Sequence, residues 1–409
     1  MRARRLILAS AVSVLALSAC GTTQQHELAL KVDPKQQEAF LADKPRVLGR
    51  LYSRVLPEGE RNAVLNYTRI GTAAFEIGEN EAAGKAFDEA LNRIEAVYAD
   101  NPRADAARSK FTKENAKDFK GEPYERAMAY YYRGLAYLVE GDYENARASF
   151  KGGMLQDTLA ANEQFNADFA SLAFLEGWSS RCMGRKDAAA SAFTEAHKLR
   201  SELAPPSPDD NLLLIAESGT APTKIGSGEF KEKMEPHRGT PGAVRIAFTV
   251  DQTVVPGMPA EDVWFQASTR GGRQVQAILD GKAEFKDGMN KAGAVGVGAG
   301  LGMMNAGSRY NDNNMATAGA IVMLVGLMAH AAAAATTPEA DLRYWDNLPD
   351  NLYFATLRMP ASEVSVTMPD RMNKPAQMRV SRKGNCAIGW GRTHSALAIP
   401  DSAPFAVKE

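Results

Sequence analysis

Met128–Gly153 reads MAYYYRGLAYLVEGDYENARASFKGG, and the fold turns on how this stretch is read. Gly134 lies one helical turn from Tyr137, and Gly141, Tyr143, Ala146, Phe150 and Gly153 follow. These intervals predict two amphipathic helices joined by a tight turn at Glu140–Asp142. Gly134 and Ala146 are small where two helices would cross closely, and Tyr130, Leu135, Leu138 and Phe150 are large enough to fill the gap. One such hairpin cannot bury its own apolar face, so neighbours of the same pattern are expected.

Two are present. Upstream, Tyr67, Ile70, Gly71, Gly78, Ala83, Phe87 and Ala90 repeat the pattern, and downstream Gly177, Gly184, Ala189, Phe193 and Ala196 repeat it again. In each copy seven residues separate the two leading glycines, and a small residue, a Phe and a small residue follow the turn. This is the small/large register of the tetratricopeptide repeat, a helix–turn–helix unit of about 34 residues. The leading glycines are 63 and 43 residues apart, so the repeats are interrupted, in Tyr98–Glu122 and near Lys151–Ala161. A solenoid of this type presents a concave face built from the first helix of each repeat. The register places Thr68, Thr72, Tyr131, Leu135, Phe174, Trp178 and Arg181 on that face, and aromatics with Arg suit a protein-binding surface. Packing of Tyr131 and Trp178 beneath inserted helices is the competing reading.

The N-terminus changes the setting. Arg2, Arg4 and Arg5 precede an apolar run, Leu6–Leu17, too short for an ordinary spanning helix. This is the pattern of a secretory signal peptide, residues 1–19. Leu17-Ser18-Ala19-Cys20 closes it and resembles the lipobox of bacterial lipoproteins. The resemblance implies cleavage before Cys20 and acylation there, with residues 20–36 as a lipidated tether. Gly21 follows where an Asp would signal inner-membrane retention, which favours the outer membrane. Formal net charge is −1 for the whole chain, and loss of three arginines leaves about −4. Neither value is a nucleic-acid footprint. The compartment implied is oxidising. A disulfide between Cys182 and Cys386 is open but unsupported by their spacing, and two buried free thiols is the reading preferred.

The helical domain is expected over 37–204, with helical periodicity from Gln37 to Arg54 leading into the first repeat. Ala204-Pro205-Pro206-Ser207-Pro208 ends it. Residues 205–242 read as a linker, with Asn211–Ala216 as one last helix covering the open end. Beyond it, Val244, Ile246, Phe248 and Val250 alternate with polar residues as in a half-buried strand. Val263–Ala267, Gln274–Leu279, Leu352–Leu357, Val364–Met368, Met378–Ser381 and Cys386–Trp390 are further strand candidates, most of them bounded by turn residues. The class expected is α+β: an N-terminal all-α tetratricopeptide-like solenoid, then a small all-β, sandwich-like domain over 243–409. An apolar insert, 288–336, interrupts that domain. Gly293–Gly307 and Met315–Ala335 flank a polar turn, and Gly296/Gly300 and Gly298/Gly302 have small-xxx-small spacing. The reading taken is a Gly/Ala-rich helical hairpin packed on the β domain. A self-associating or membrane-dipping hairpin over 293–335 and a disordered segment are the alternatives.

No catalytic constellation is legible. The five histidines, His26, His197, His237, His330 and His394, are scattered. There is no H-E-x-x-H, C-x-x-C or G-x-S-x-G, and the glycine run lacks the last glycine of a dinucleotide fingerprint. No metal site or cofactor is expected beyond the covalent lipid on Cys20.

The lipobox with interrupted repeats, the segment Glu217-Ser218-Gly219-Thr220-Ala221-Pro222-Thr223-Lys224 and the segment Asp341-Leu342-Arg343-Tyr344-Trp345-Asp346-Asn347-Leu348-Pro349 occur together. In this combination the chain resembles a family of uncharacterised Gram-negative outer-membrane lipoproteins with N-terminal tetratricopeptide repeats. The resemblance implies an accessory envelope protein and brings no catalytic residue. Tyr344 and Trp345 are expected to seat the second apolar run against the following strand. The function expected is a non-enzymatic scaffold, lipid-anchored in the outer membrane and facing the periplasm, that binds another envelope protein. The alternative is a membrane-associated oligomer assembled through the glycine-rich hairpin and serving export or secretion.

Overall fold

The computed structural model describes residues 29–98, 118–158, 169–227, 233–269, 341–360 and 364–397, with parts of 291–327. Cys20, the signal peptide, Gln274–Leu279 and most of the insert lie outside the described residues. The architecture is α+β, in three layers: helices, a five-stranded sheet, and a four-stranded sheet.

The helical layer begins with α1 (Pro34–Leu41) and two single-turn segments, Gly49–Tyr52 and Val55–Glu58. Three antiparallel pairs follow: α2 (Ala63–Ile77) with α3 (Asn80–Tyr98), α4 (Pro123–Glu140) with α5 (Tyr143–Thr158), and α6 (Ala170–Cys182) with α7 (Lys186–Leu199). One device recurs in each. A Cβ built on Gly71 would stand 2.6 Å from the Phe87 ring, and one on Gly177 2.8 Å from Phe193, while on Gly134 it would collide with the edge of the Phe150 ring. The phenylalanine is always the sixteenth residue after the glycine, so the ring of the second helix closes onto bare backbone of the first. The second glycine of each pair, Gly78, Gly141 and Gly184, sits at the turn with φ between 75° and 83°, a left-handed conformation that costs other residues more. The seven-residue interval is therefore two helical turns from a crossing point to a cap. At the front of α4, Glu122 and Glu125 form a reciprocal capping box.

The stretch expected as a linker holds the centre of the molecule. Leu212–Ser218 is not a covering helix but β1, and all seven residues are buried. LLLIAES is an apolar run of strand length, and its periodicity does not separate a strand buried on both faces from a buried helix. In the five-stranded sheet, order β10-β11-β1-β7-β6, β1 pairs parallel with β11 (Cys386–Arg392) and antiparallel with β7 (Asn351–Leu357). The edges are β10 (Arg379–Lys383) and β6 (Met258–Asp262). A ribbon of β2 (Thr223–Ser227) and β3 (Lys233–His237) also falls within the expected linker. The second sheet runs β5 (Thr253–Pro256), β4 (Ala247–Val250), β8 (Val366–Pro369), β9 (Pro375–Gln377). Val263–Ala267, expected as a strand, lies in a short helix, α8 (Val263–Thr269), whose first turn Asp262 caps by accepting from the Phe265 N–H at 2.9 Å.

Alternation along β1 assigns the two cores. Leu212, Leu214 and Ala216 meet Ile246, Phe248, Val250, Val366 and Met368 of the second sheet. Leu213 and Ile215 face the helices, joined by Phe354, Ile388 and Trp390. Gly389 and Gly391 of β11 leave room on the sheet–sheet side for Leu214 and Met368. Cys182, at the end of α6, is disulfide-bonded to Cys386 of β11. The free-thiol reading is therefore corrected. Spacing was silent because the bond closes 204 residues and joins two layers rather than a local loop.

In the insert, the described residues among 291–305 and 322–327 are helical. Val295, Leu301 and Leu327 are exposed, and a Cβ on Gly298 or Gly302 would meet nothing within 4 Å. The packed hairpin expected there finds no support in these residues. Among the described residues, no helix is long and apolar enough to cross a membrane.

Candidate functional site

The face expected to bind a partner is occupied by the chain itself. Thr68, Thr72, Tyr131, Leu135, Phe174 and Trp178 are all at most 2% exposed. Phe174 stacks obliquely on Phe354 of β7, with ring centroids 5.4 Å apart. Tyr131 donates to Glu217 Oε1 at 3.2 Å and Tyr132 to Glu217 Oε2 at 2.7 Å, so both reach the end of β1. Arg181 is half-buried and donates to the carbonyls of Pro206, Ser207 and Asp210, tying down the proline-rich exit from the helices. Of the residues that the register puts on one face, Tyr131 and Phe174 contact the sheet directly. That face meets the five-stranded sheet, because the sheet's apolar side has to be covered as well.

Glu217 is the polar centre of this seam. It is 1% exposed and also accepts from Trp390 Nε1 at 3.0 Å, while Arg392 Nε stands 3.8 Å from its Oε2. Burial pushes the Glu217 carboxyl above its usual range, against the opposing effect of Arg392 and the three donors. Burial and the Glu217 charge hold both tyrosine hydroxyls well above their ordinary range. The second apolar run that Tyr344 and Trp345 were expected to seat lies mostly outside the described residues, and Trp345 packs into the helical layer. It is 1% exposed and packs on Phe87 and Tyr132 of the helical layer, and its backbone N–H donates to Glu125 at 2.7 Å.

Beside this seam lies a cleft of about 600 Å³. Topology makes it. β1 and β11 run parallel, so their C-terminal ends emerge side by side, and Ser218 pairs with Asn351 at the start of β7. Three chain segments therefore leave one sheet edge together: Gly219–Thr223, Arg392–Ser395 and the Tyr344–Leu348 approach to β7. The β8–β9 turn adds Asp370, Arg371 and Met372 as the far wall. Gly219 makes the exit turn at φ +77°, where a Cβ would stand 2.5 Å from the Gly242 nitrogen. Both segments singled out in the sequence, 217–224 and 341–349, thus converge on one cavity. Their separation of more than a hundred residues concealed this, and only an odd composition, a charged residue ending an apolar strand, pointed toward Glu217.

The chemistry of the wall is specific. Arg69 of α2 holds Asp346 through two bonds, 2.7 and 2.9 Å, and Asn347 Nδ2 donates to the Arg69 carbonyl at 3.0 Å. Asp370 Oδ1 accepts from the backbone nitrogens of Met372 and Lys374, both at 2.8 Å, which pulls its carboxyl below the usual range. The Tyr344 hydroxyl is raised by burial and by Asp346. His394 Nδ1 lies 2.8 Å from Thr393 Oγ1, and burial, with Arg371 and Arg392 beside it, lowers the imidazole pKa from its usual value. Among the described residues, no group of three metal-ligating side chains stands together. Comparison with family models, with curated proteins and with solved structures gives no match for the chain.

Proposed function

We propose that the chain is a non-enzymatic lipoprotein, anchored through Cys20 in the outer membrane and facing the periplasm, that binds another envelope protein at the cleft. The carrying observation is that the helical face is filled by the chain's own sheet, while the two sequence segments of unusual composition meet at the cleft. On this reading the helical pairs are tetratricopeptide-like units that serve as a rigid seat for the sheet. The lipobox at Leu17–Cys20 and the Cys182–Cys386 disulfide both support an exported chain. A photo-crosslinking residue in place of Met372, which is 61% exposed on the cleft wall, tests the reading in intact envelopes. One dominant adduct, absent when the residue is placed instead at exposed Val254 on β5, supports it; equal adducts from both positions sink it. Palmitate-analogue labelling that Cys20→Ser fails to abolish would remove the anchor from the proposal.

A second reading is favoured by the exposed Val295, Leu301 and Leu327: a membrane-associated oligomer joined through 293–335, serving export or secretion. Assembly of the purified lipoprotein that depends on the detergent, and disappears with 293–335, would select it.

A further inference from the structure

We infer that residues 292–335 enter the acyl layer of the bilayer that holds the Cys20 lipid, with lipid chains rather than a second copy covering the apolar runs. This rests on the lipid anchor and on the second reading, and it names what covers the insert. The placement of two chain roots carries the argument. Leu30, ten residues after Cys20, is fixed at Pro57–Gly59: its N–H donates to the Pro57 carbonyl at 2.7 Å, and a Cβ on Gly59 would stand 2.7 Å from Leu30 Cδ1. Arg343, eight residues after Ala335, is fixed just beyond, where Nη1 donates to the Arg61 carbonyl at 2.8 Å and to Asn62 Oδ1 at 2.7 Å. The turn between these points is tight, with the Asn62 N–H donating to the Gly59 carbonyl at 3.2 Å. The tether and the C-terminal root of the insert therefore leave the body from one corner, beside the start of α2. Ten extended residues reach at most about 35 Å, so a lipid on Cys20 keeps this corner at the membrane. Leu30 and Leu342 are 59% and 36% exposed there.

The insert's own chemistry agrees. Between Lys291 and Glu339 the charged residues are Arg309 and Asp312, both in the polar turn with Tyr310, an aromatic suited to the headgroup level. Among the described residues of 291–327 none is buried. Val295 and Leu301 are 71% and 48% exposed, and the space beside Gly298 and Gly302 is open, so the first run is uncovered on more than one side. A seam between two copies needs one apolar face and a polar one behind it, whereas a helix that is apolar all round belongs in a core or a bilayer. The first run, 292–307, carries one polar side chain, Asn305, and the second, 315–335, carries Thr317 and His330. At about 1.5 Å per helical residue the two runs reach about 24 and 31 Å, against a hydrocarbon core of about 30 Å that is thinner in the bacterial outer membrane.

The test uses the full-length lipoprotein reconstituted in vesicles of phosphatidylethanolamine and phosphatidylglycerol, with some lipids carrying a nitroxide at mid-chain. Acylation of Cys20 and the Cys182–Cys386 bond leave an introduced cysteine as the reactive thiol, so Leu301→Cys, Leu327→Cys and Val254→Cys each take one environment-sensitive fluorophore and the wild type takes none. All three positions are exposed, so the body folds as before. The probes at 301 and 327 are expected to be quenched roughly five-fold more than the probe at 254, whatever the ratio of protein to lipid. Quenching no stronger at 301 and 327 than at 254 overturns the inference. Quenching that is weak in protein-rich vesicles and grows on about hundred-fold dilution in lipid overturns it in favour of a second copy as the cover, and the second reading then stands alone. If quenching is absent and detergent-dependent assembly through 293–335 is absent too, both fall. Label on the wild type would reveal a free Cys20 and remove the anchor, and the inference with it.

Discussion

The two faces of the central sheet are built on different principles. Toward the second sheet, Leu212, Leu214 and Ala216 meet Ile246, Phe248, Val250 and Met368 in an apolar cluster. Toward the helices, the same strand offers Leu213, Ile215 and then Glu217, and the seam carries buried polar contacts across long stretches of chain: Tyr132 to Glu217, Arg69 to Asp346, Lys224 to Glu125. An apolar interface is tolerant of sliding, whereas a buried carboxylate with three donors has one place to sit. The difference suggests a division of labour. The sheet–sheet core supplies stability, and the helix–sheet seam sets the position of the segments that form the cleft.

The largest expected effect compares the two faces directly. Phe248→Ala should cost about 3–5 kcal/mol by cavity formation. Glu217→Ala should cost about as much, roughly 3–5 kcal/mol, because it strands a buried Arg392 and three donors. Denaturant unfolding of both variants is the measurement. A cost below about 1 kcal/mol for Glu217→Ala would show that the seam is as tolerant as the apolar core and remove the contrast.

Next in size is the covalent tie between layers. Cys182→Ser is expected to lower stability by about 2–4 kcal/mol, since the bond closes a long loop in the unfolded chain. Thermal unfolding with and without reductant checks it: reductant should lower the midpoint of the wild type and leave the variant unmoved. A smaller loss, about 1–3 kcal/mol and occasionally more, is expected for Gly134→Leu, which forces the Phe150 ring off the α4 backbone. An unchanged melting temperature would mean that the glycine–phenylalanine register does not hold the helix pairs.

What was legible in the sequence follows the same division. The helix pairs were visible because their grammar is local: a glycine, a second glycine seven residues on, a small–Phe–small run. The strands of the second sheet were visible where they alternate, as Val244–Val250 does, with β4 forming at Ala247–Val250. β1 was missed because burial on both faces erases alternation, leaving LLLIAES without a period. The site was missed for a different reason. Its wall comes from residues near 220, 346, 371 and 394, and nothing local in any of the four stretches says that they meet. Thr68, Thr72, Tyr131, Leu135, Phe174 and Trp178, expected to meet a partner, are buried instead, and that the chain's own sheet packs on the helices is a tertiary fact beyond periodicity.

The smallest expected effect asks which force governs Glu217. Burial raises its pKa above 4.5, while Arg392 and the hydrogen bonds from Tyr132, Trp390 and Tyr131 act in the other direction; burial prevails. A carboxyl whose folded pKa lies above its unfolded value is protonated more readily in the folded state. Its contribution to stability is then fully present below about pH 4.5 and is lost as pH rises through the folded value. Glu217→Gln does not titrate, so the stability of the wild type minus that of the variant isolates this residue from every other acid. That difference is expected to fall as pH rises above about 4.5, by about 1.4 kcal/mol for each unit by which the folded pKa is raised. Urea unfolding at half-unit pH steps gives the curve. A difference that rises with pH would mean that the donors and Arg392 outweigh burial, and the seam would then be a stabilising ionic network rather than a positional one.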